Sequence, residues 1–431
     1  MNRVAAIVPT YNRRDYVGVC IRSLLNQSRK PDEIVVVDDG STDGTYEFLE
    51  GTFAGRISLL RKENGGKSSA LNFALERVES DYVWFCDDDD IAAPDGCENL
   101  LNALREAPSA IGFAYGHYRI FTKSPNGVLL FPPSFWAAPE EPNVRINILE
   151  DLHTFQFATL FRRAAIDRAG PFREDLHRSQ DLDMMIRVTE QFDGTYVPRT
   201  IFYQRNHEGS RGPAVERAEA RNSHERWLDY DRRFFPALIA SDRSFCPSFA
   251  REWNVRDKER ASLLQRAVVF GRRGYWRIAL DNLEQASRLA TGAARPPEQR
   301  QAARLIRHGL PSSAFPRDRA LLRRFARLRR SSAFGHSIGL AIGEALVARI
   351  RRSVTERRWR DTRIELRLLL AIGGVSFMRR FLSGAVIARL RKSQRAPLAP
   401  PGPVDAEDPP HTVILPAERG YIAGVLRAER E

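Results

Sequence analysis

The stretch Asp81-Tyr82-Val83-Trp84-Phe85-Cys86-Asp87-Asp88-Asp89-Asp90-Ile91-Ala92-Ala93-Pro94 decides the fold. The apolar run from Tyr82 to Cys86 has the length of a buried strand rather than a helix, and it stops at consecutive carboxylates, Asp87 to Asp90. Such a cluster repels itself unless donors or a cation hold it, and hard divalent ions such as Mg²⁺ and Mn²⁺ prefer oxygen ligands. The carboxyl ends of strands are where ligands bind in an open α/β sheet, so the position suits a metal that carries a phosphorylated substrate. In isolation the run would describe a solvated acidic turn before the helix opened by Pro94 and Asp95. The segments around it decide between the two.

Upstream, Val4 to Val8 reads as a first buried strand, closed by Pro9-Thr10-Tyr11-Asn12. Tyr16 to Gln27 places Val17, Cys20, Ile21, Leu24 and Leu25 at helical spacing, and Glu33 to Val37 is a second strand ending in Asp38-Asp39-Gly40-Ser41. Strand, helix and strand imply a right-handed crossover and a parallel sheet. A short helix from Thr45 to Glu50, a strand from Ile57 to Leu60 and a helix from Ser68 to Val78 lead into the Tyr82 strand. The expectation is a doubly wound, Rossmann-like α/β domain whose polar constellations fall at strand ends. There Pro9, Thr10, Tyr11 and Asn12 become neighbours of Asp38 and Asp39. A carboxylate at that place can accept from a base N–H or a ribose hydroxyl, and the Thr10-Tyr11 turn can line a base pocket. Asp39-Gly40-Ser41 also reads as a self-capped turn. Gly65-Gly66-Lys67-Ser68 imitates the end of a phosphate-binding loop, but Arg61 stands where the earlier glycine is needed. No Gly-x-Gly-x-x-Gly follows the first strand, which argues against a dinucleotide site.

Pro9-Thr10-Tyr11-Asn12, Val36-Val37-Asp38-Asp39-Gly40-Ser41-Thr42-Asp43-Gly44-Thr45, Asn64-Gly65-Gly66-Lys67-Ser68-Ser69-Ala70-Leu71-Asn72, and Asp87 to Asp90 with Pro94 together resemble the family 2 glycosyltransferases in order and spacing. The resemblance implies a GT-A fold, inversion at the anomeric centre and a nucleotide-sugar donor. It implies Asp39 near the base, Asp87, Asp88 and Asp89 as the Asp-x-Asp element, and Asp89 as the direct ligand of Mg²⁺ or Mn²⁺, with Asp87 beside it. Asn64 and Lys67 would lie near the donor's ribose or diphosphate.

Further along, Asp95 to Glu106 is an amphipathic helix, and Gly112 to Phe121 and Val128 to Phe131 read as strands. The loop from Pro132 to Pro142, with Phe135 and Trp136, suits either an acceptor pocket or ordinary packing. Phe155 to Phe161 reads as a strand, followed by a helix from Arg162-Arg163 to Ala169. Asp181, in His177-Arg178-Ser179-Gln180-Asp181, opens a helix from Leu182 to Phe192, where the dipole favours an ionised carboxylate. Inverting transfer needs one carboxylate to take the acceptor hydroxyl's proton, and Asp181 matches the second member of the family's Glu-Asp pair. The first member is Gln180 here, a departure that removes a neighbouring negative charge; a simple helix cap is the alternative for Asp181. Gly194 to Val197 and Ile201 to Arg205 read as a closing pair of strands. Where the family has Tyr-Arg-x-His, Arg205 would contact phosphate and His207 would reach the metal or diphosphate.

The chain of 431 residues carries a net charge of +13, with arginine dominant from about Arg251 onward. The catalytic domain is expected to end near Gly212-Pro213. A helical region follows to residue 295, with one tetratricopeptide-like hairpin joined at Gly271 to Tyr275. Basic amphipathic helices occupy 296–393, and 394–431 reads as a proline-rich linker and tail. The basic helices suit an anionic bilayer surface, or a helical bundle packed on the catalytic domain. No nucleic-acid partner is expected, because the arginines interleave with aliphatic rather than aromatic residues. Cys20, Cys86, Cys97 and Cys246 show no paired spacing, the N-terminus has no leader organisation, and no uninterrupted apolar stretch has spanning length. These features suit a cytoplasmic protein, with the basic helices placing it at the inner membrane face, and the resemblance implies a saccharide or lipid-linked saccharide acceptor. The rival readings are a sugar-1-phosphate nucleotidyltransferase, which would need a glycine-rich loop absent from Thr10 to Arg14, and a catalytically impaired nucleotide-sugar-binding scaffold.

Overall fold

β1 (Val4–Thr10) runs parallel to β2 (Glu33–Asp38), from Ala5↔Glu33 to Thr10↔Asp38, and parallel to β4 (Tyr82–Phe85), from Val4↔Tyr82 to Ile7↔Phe85. β3 (Ser58–Arg61) extends this parallel set beyond β2. The connections carry α1 (Arg14–Leu25), α2 (Thr45–Phe53) and α3 (Lys67–Leu75). β1 and β4 are buried along their whole length, which is why both read as continuous apolar runs. This computed structural model describes residues 2–123, 129–131, 142–150, 154, 156–206, 230, 231, 235, 245–306, 315, 316, 318–382 and 416–427.

Beyond β4 the sheet becomes mixed, in the order β3-β2-β1-β4 and then β8 (Thr159–Arg162), β6 (Ile111–Lys123), β9 (Asp193–Arg205) and β5 (Ile91–Ala92). β8 lies antiparallel between β4 and β6, and β9 runs parallel to β6. β5, directly after the acidic run, pairs with Phe202 and Tyr203 of β9, while β7 (Leu129–Leu130) pairs with β6. The acidic run is therefore tied to the sheet at both ends. α4 (Gly96–Glu106) follows β5, α6 (Arg163–Ala169) follows β8, and α7 (Gln180–Val188) precedes β9.

Two expected elements differ. Gly194 to Val197 and Ile201 to Arg205 are not a pair of strands but one strand, β9, paired along β6. Between Tyr115↔Tyr196 and His117↔Thr200 the register jumps by two residues, and Pro198, which cannot donate to a ladder, sits in that irregularity. The strand expected from Phe155 begins only at Thr159, because Gln156–Ala158 forms a 3₁₀ turn. The carbonyl of Phe157 instead accepts from the Trp84 indole at 2.8 Å.

The chain forms two compact units, Met1–Glu140 with Leu152–Tyr230 and Asp405–Glu431, and Glu141–Asp151 with Asp231–Val404. The first holds the sheet. Its core joins Val8, Ile21, Val36, Trp84, Leu100, Phe157 and Phe202 across sheet and helices. The second is helical. α5 (Val144–Glu150) belongs to it, because the buried Glu150 carboxylate accepts from Gln265 at 2.7 Å, Gln301 at 2.9 Å and Arg304 at 2.7 Å. Helices Val255–Arg272 and Trp276–Leu289 pack as a helical hairpin that turns at Gly274 with φ 83°. Helix Ala333–Thr355 is long and apolar enough to cross a membrane, although 44% of its most apolar window is buried inside its unit. It was not expected because His336, Ser337 and Glu344 interrupt its apolar residues. Arg349 and Ser353 on this helix bond to the buried Glu365 of helix Trp359–Leu382, each at 2.7 Å.

Candidate active site

The ends of β1, β2, β4 and β9, with the N-termini of α3 and α7, supply most of the candidate residues. At the end of β1 the buried Pro9 and Thr10 lead to Tyr11, which is 45% exposed, and to Asn12, which adopts φ 52°. Asn12 ties this loop to the loop after β2, its N–H donating to Ser41 Oγ at 2.9 Å and its Oδ1 accepting from Thr42 N–H at 2.8 Å. Thr10 reaches the other way and donates to Asp88 Oδ2 at 2.7 Å.

Asp38 and Asp39 are both buried and serve different neighbours. Asp38 accepts from Ser41 N–H at 3.3 Å and faces Arg61 Nε at 3.4 Å. Asp39 sits in a nest made by the segment that imitated a phosphate loop. Its carboxylate accepts from Lys62 Nζ at 2.8 Å, Asn64 Nδ2 at 3.2 Å, Gly65 N–H at 3.0 Å and Gly66 N–H at 2.7 Å. Successive backbone N–H groups make an anion-binding concavity, and here a carboxylate of the chain occupies it. Glycine is required at Gly40 and Gly66, whose φ values are +80° and +88°. A Cβ on Gly40 would also press on Asn64 N at 3.0 Å. Beside the nest lies a shallow open depression of about 560 Å³ lined by Gly40, Arg61, Lys62, Glu63 and Asn64.

At the end of β4, Asp87 pairs with Lys67, the first residue of α3. Partial burial opposes the lysine's charge, but Asp87 outweighs it, with Asp181 and Asp89 adding to the effect, so the ammonium is held above its ordinary range. Asp89 of the acidic run and Asp181 at the start of α7 thus act on the same cation that Asp87 pairs with. Asp88 is pushed up to about 7, by burial first and then by repulsion from Asp89, against the pull of Arg13 and Thr10. Arg205, only 6% exposed, lies beneath the run, donating from Nε to the Asp89 carbonyl at 3.0 Å and from its backbone N–H to Asp90 Oδ1 at 2.9 Å. His207 lies outside the described residues, as does most of the loop with Phe135 and Trp136.

Helix α7 begins at Gln180, two residues earlier than expected, after Ser179 at φ 58°. Asp181 is half-buried, and its Oδ1 accepts from Leu182 N–H at 2.9 Å. Gln180 Oε1 is buried and has no hydrogen-bond partner among the described residues. Asn72 of α3 holds the approach to this helix, accepting from Phe172 N–H at 2.8 Å and donating to the Phe172 carbonyl at 2.9 Å. Lys62, Arg13 and Asn72 were not singled out from sequence. Asn72 lies inside a quoted motif, whereas nothing local marks Lys62 or Arg13.

No group of three or more His, Cys, Asp and Glu residues arranged to hold a metal occurs among the described residues. The donors nevertheless suit a hard divalent ion. They are carboxylate oxygens, and the repulsion that raises Asp88 is what a cation there relieves.

The Glycosyl transferase family 2 model matches residues 5–170. An uncharacterized glycosyltransferase of Rickettsia conorii is 27% identical over 205 residues, covering 46% of this chain and 34% of that protein. The chondroitin synthase of Pasteurella multocida is 28% identical over 189 residues, covering 43% of this chain and 19% of that one. Among solved structures, Staphylococcus aureus TarS 1–349 in complex with UDP-GlcNAc is a distant likeness, at 20% identity and a TM-score of 0.47 over 78% of this chain and 89% of that one. The chain spans about a third of the length of the Rickettsia relative, 34%. The family match begins within β1 and takes in the nest, the acidic run and β8, so residues 5–170 are a family 2 glycosyltransferase domain.

Proposed function

We propose that the chain is an inverting, divalent-cation-dependent glycosyltransferase that moves a sugar from a nucleotide-sugar donor to an acceptor hydroxyl. The observation that supports this reading is the pair between Asp87 at the end of β4 and Lys67 at the start of α3, a lysine whose charge Asp181 and Asp89 also favour. Asp181 accepts the proton of the acceptor hydroxyl as that oxygen bonds to the anomeric carbon, and the bond from that carbon to the nucleoside diphosphate breaks with its electron pair leaving on the diphosphate. Asp89 and Asp87 would hold Mg²⁺ or Mn²⁺, which when bound supplies charge stabilisation for the leaving diphosphate. Lys67 contributes a further fixed positive charge at that place. Tyr11, Asn12 and Asn64, on loops braced by the buried Thr10, Asp38 and Asp39, line the donor's nucleoside end, with the depression beside Lys62 and Asn64 as the space for it.

Assembly of a surface polysaccharide or other glycan is the setting we infer, supported by the similarity to a chondroitin synthase. A lipid-linked acceptor at an anionic membrane surface fits the helical unit, because Arg319, Arg323, Arg327 and Arg330 are exposed along helix Arg319–Ser331 while Phe325 and Leu328 are buried. Other arginines serve internal pairs, such as Arg260 with Glu298 and Arg273 with Asp231. Flotation with anionic vesicles that is weak at low salt would count against the membrane part.

The enzymatic part is tested by binding and turnover of UDP-, GDP- and dTDP-sugars with Mn²⁺ or Mg²⁺. Asp89→Ala is expected to lose metal-dependent binding, and Asp181→Asn to bind donor without turning it over. Folded protein that binds none of these donors would overturn the reading.

A further inference from the structure

The helix Pro416–Arg427 is far along the chain from the sheet, yet it belongs to the sheet's compact unit. Ile422, Val425 and Leu426 are buried against Val19 of α1, Ile91 and Ala93 around β5, and Phe121 and Tyr203 at the ends of β6 and β9. Three polar contacts fix the helix over this apolar seat. Tyr421 Oη donates to the Ala92 carbonyl at 3.0 Å, Tyr203 Oη donates to Glu418 Oε1 at 3.3 Å, and Arg119 Nε faces the same carboxylate oxygen at 3.6 Å. Burial, then Asp95 and Cys20, push the Tyr421 phenol up to about 12, so it stays protonated and able to donate.

These attachment points flank the acidic run. Ala92 and Ile91 form β5, directly after Asp90, and Tyr203 stands two residues before Arg205. Arg205 in turn bonds to the Asp89 carbonyl and the Asp90 carboxylate. One helix therefore grips both strands that hold the run.

We propose that the helix Pro416–Arg427 is a positioning element for the acidic run, with Tyr421 and Glu418 as positioning residues that act through β5 and β9. The expected benefit to the reaction rests on the reading of Asp89 as a cation ligand. The ordering of the run does not.

The test uses the full chain with Ile422→Asp and Leu426→Asp combined, which puts two charges into the apolar seat, and with Tyr421→Phe as the mild variant. Release of the helix is read by trypsin cleavage at Arg419 and Arg427. The first readout is amide hydrogen exchange. The double variant is expected to speed exchange at Asp90 to Ala93 and at Arg205 by about tenfold or more, leaving Val35 to Val37 of β2 unchanged. The second readout is titration with Mn²⁺ alone, expected to weaken by about tenfold in the double variant and about threefold in Tyr421→Phe. A released helix with unchanged exchange in the acidic run overturns the proposal, as does tighter Mn²⁺ binding, which would make the helix an obstruction. Wild-type protein that binds no Mn²⁺ would overturn the cation reading instead, while the exchange measurement still decides whether the helix orders the run.

Discussion

Asp39 and Asp88 are both carboxylates that follow parallel strands, β2 and β4 on either side of β1, and the chain treats them in opposite ways. Asp39 receives a lysine, a side-chain amide and two backbone N–H groups. Asp88 receives the hydroxyl of Thr10 and stands beside Asp89 and Asp87, which help hold its pKa near 7. The first arrangement is complete without a ligand, and its loss leaves donors stranded. The second is short of positive charge, and its natural complement is a cation. A strand-end carboxylate is therefore read by what surrounds it rather than by its position alone.

The largest effect is expected at Asp181, whose charge acts on the same lysine as Asp87 and Asp89. Asp181→Asn should lower kcat by about 10²- to 10⁴-fold with donor binding retained, the range for removing a general base; single-turnover kinetics would measure it, and a fall confined to KM would break the assignment. The satisfied carboxylate should show itself in stability. Asp39→Ala strands Lys62 and the nest and should cost about 3 to 5 kcal/mol, measured by denaturant unfolding, as for removal of one partner of a buried pair. A loss well below 1 kcal/mol would show that water replaces the carboxylate in the nest.

Asp88 supplies the third contrast. Its folded pKa of about 7 lies above the ordinary 3.8, so the native state keeps a proton that the unfolded chain has lost. Without divalent cations, stability should therefore fall as pH rises from about 4 to about 7 and then level off with respect to this group. Mn²⁺ should bind more tightly as pH climbs through the same window, because the proton leaves when the ion enters. Asp88→Asn should flatten the stability profile, and melting curves between pH 4 and 8 would show it. The smallest effect belongs to Asn72→Ala, which removes the bonds to the Phe172 backbone and should cost about 1 to 2 kcal/mol while loosening the approach to Asp181.

Much of this was legible in the sequence because it is local. The buried strands β1, β2 and β4 are continuous apolar runs, and each ends in the polar residues that form the candidate site. Asp181 was legible through its place at the start of a helix. What escaped was set by distant partners. Lys62 is an unremarkable surface-type residue until the turn after β3 brings it to Asp39. The continuous β9 hid behind Pro198, since tolerance of a proline depends on a register irregularity that no local pattern announces. α5 was not expected and lies within the stretch read as one catalytic domain ending near Gly212-Pro213, and the side chains of Gln265, Gln301 and Arg304 around Glu150 tie it to the second unit. The stretch 394–431 read as linker and tail from its prolines, and the seat for Ile422 is built from residues between Val19 and Tyr203, too distant in sequence to be signalled locally.

That last feature also bears on how the protein is made. The seat formed by Val19, Ile91, Ala93, Phe121 and Tyr203 is complete in sequence by the end of β9, but its cover begins at Pro416. At about 5 to 20 residues per second, a ribosome needs roughly 10 to 40 seconds to synthesise the chain between them. During that interval the nascent first unit carries an apolar surface open to chaperones and to other nascent chains. Stalling or premature termination before Ile422 should thus yield a protein whose defect is first seen as aggregation.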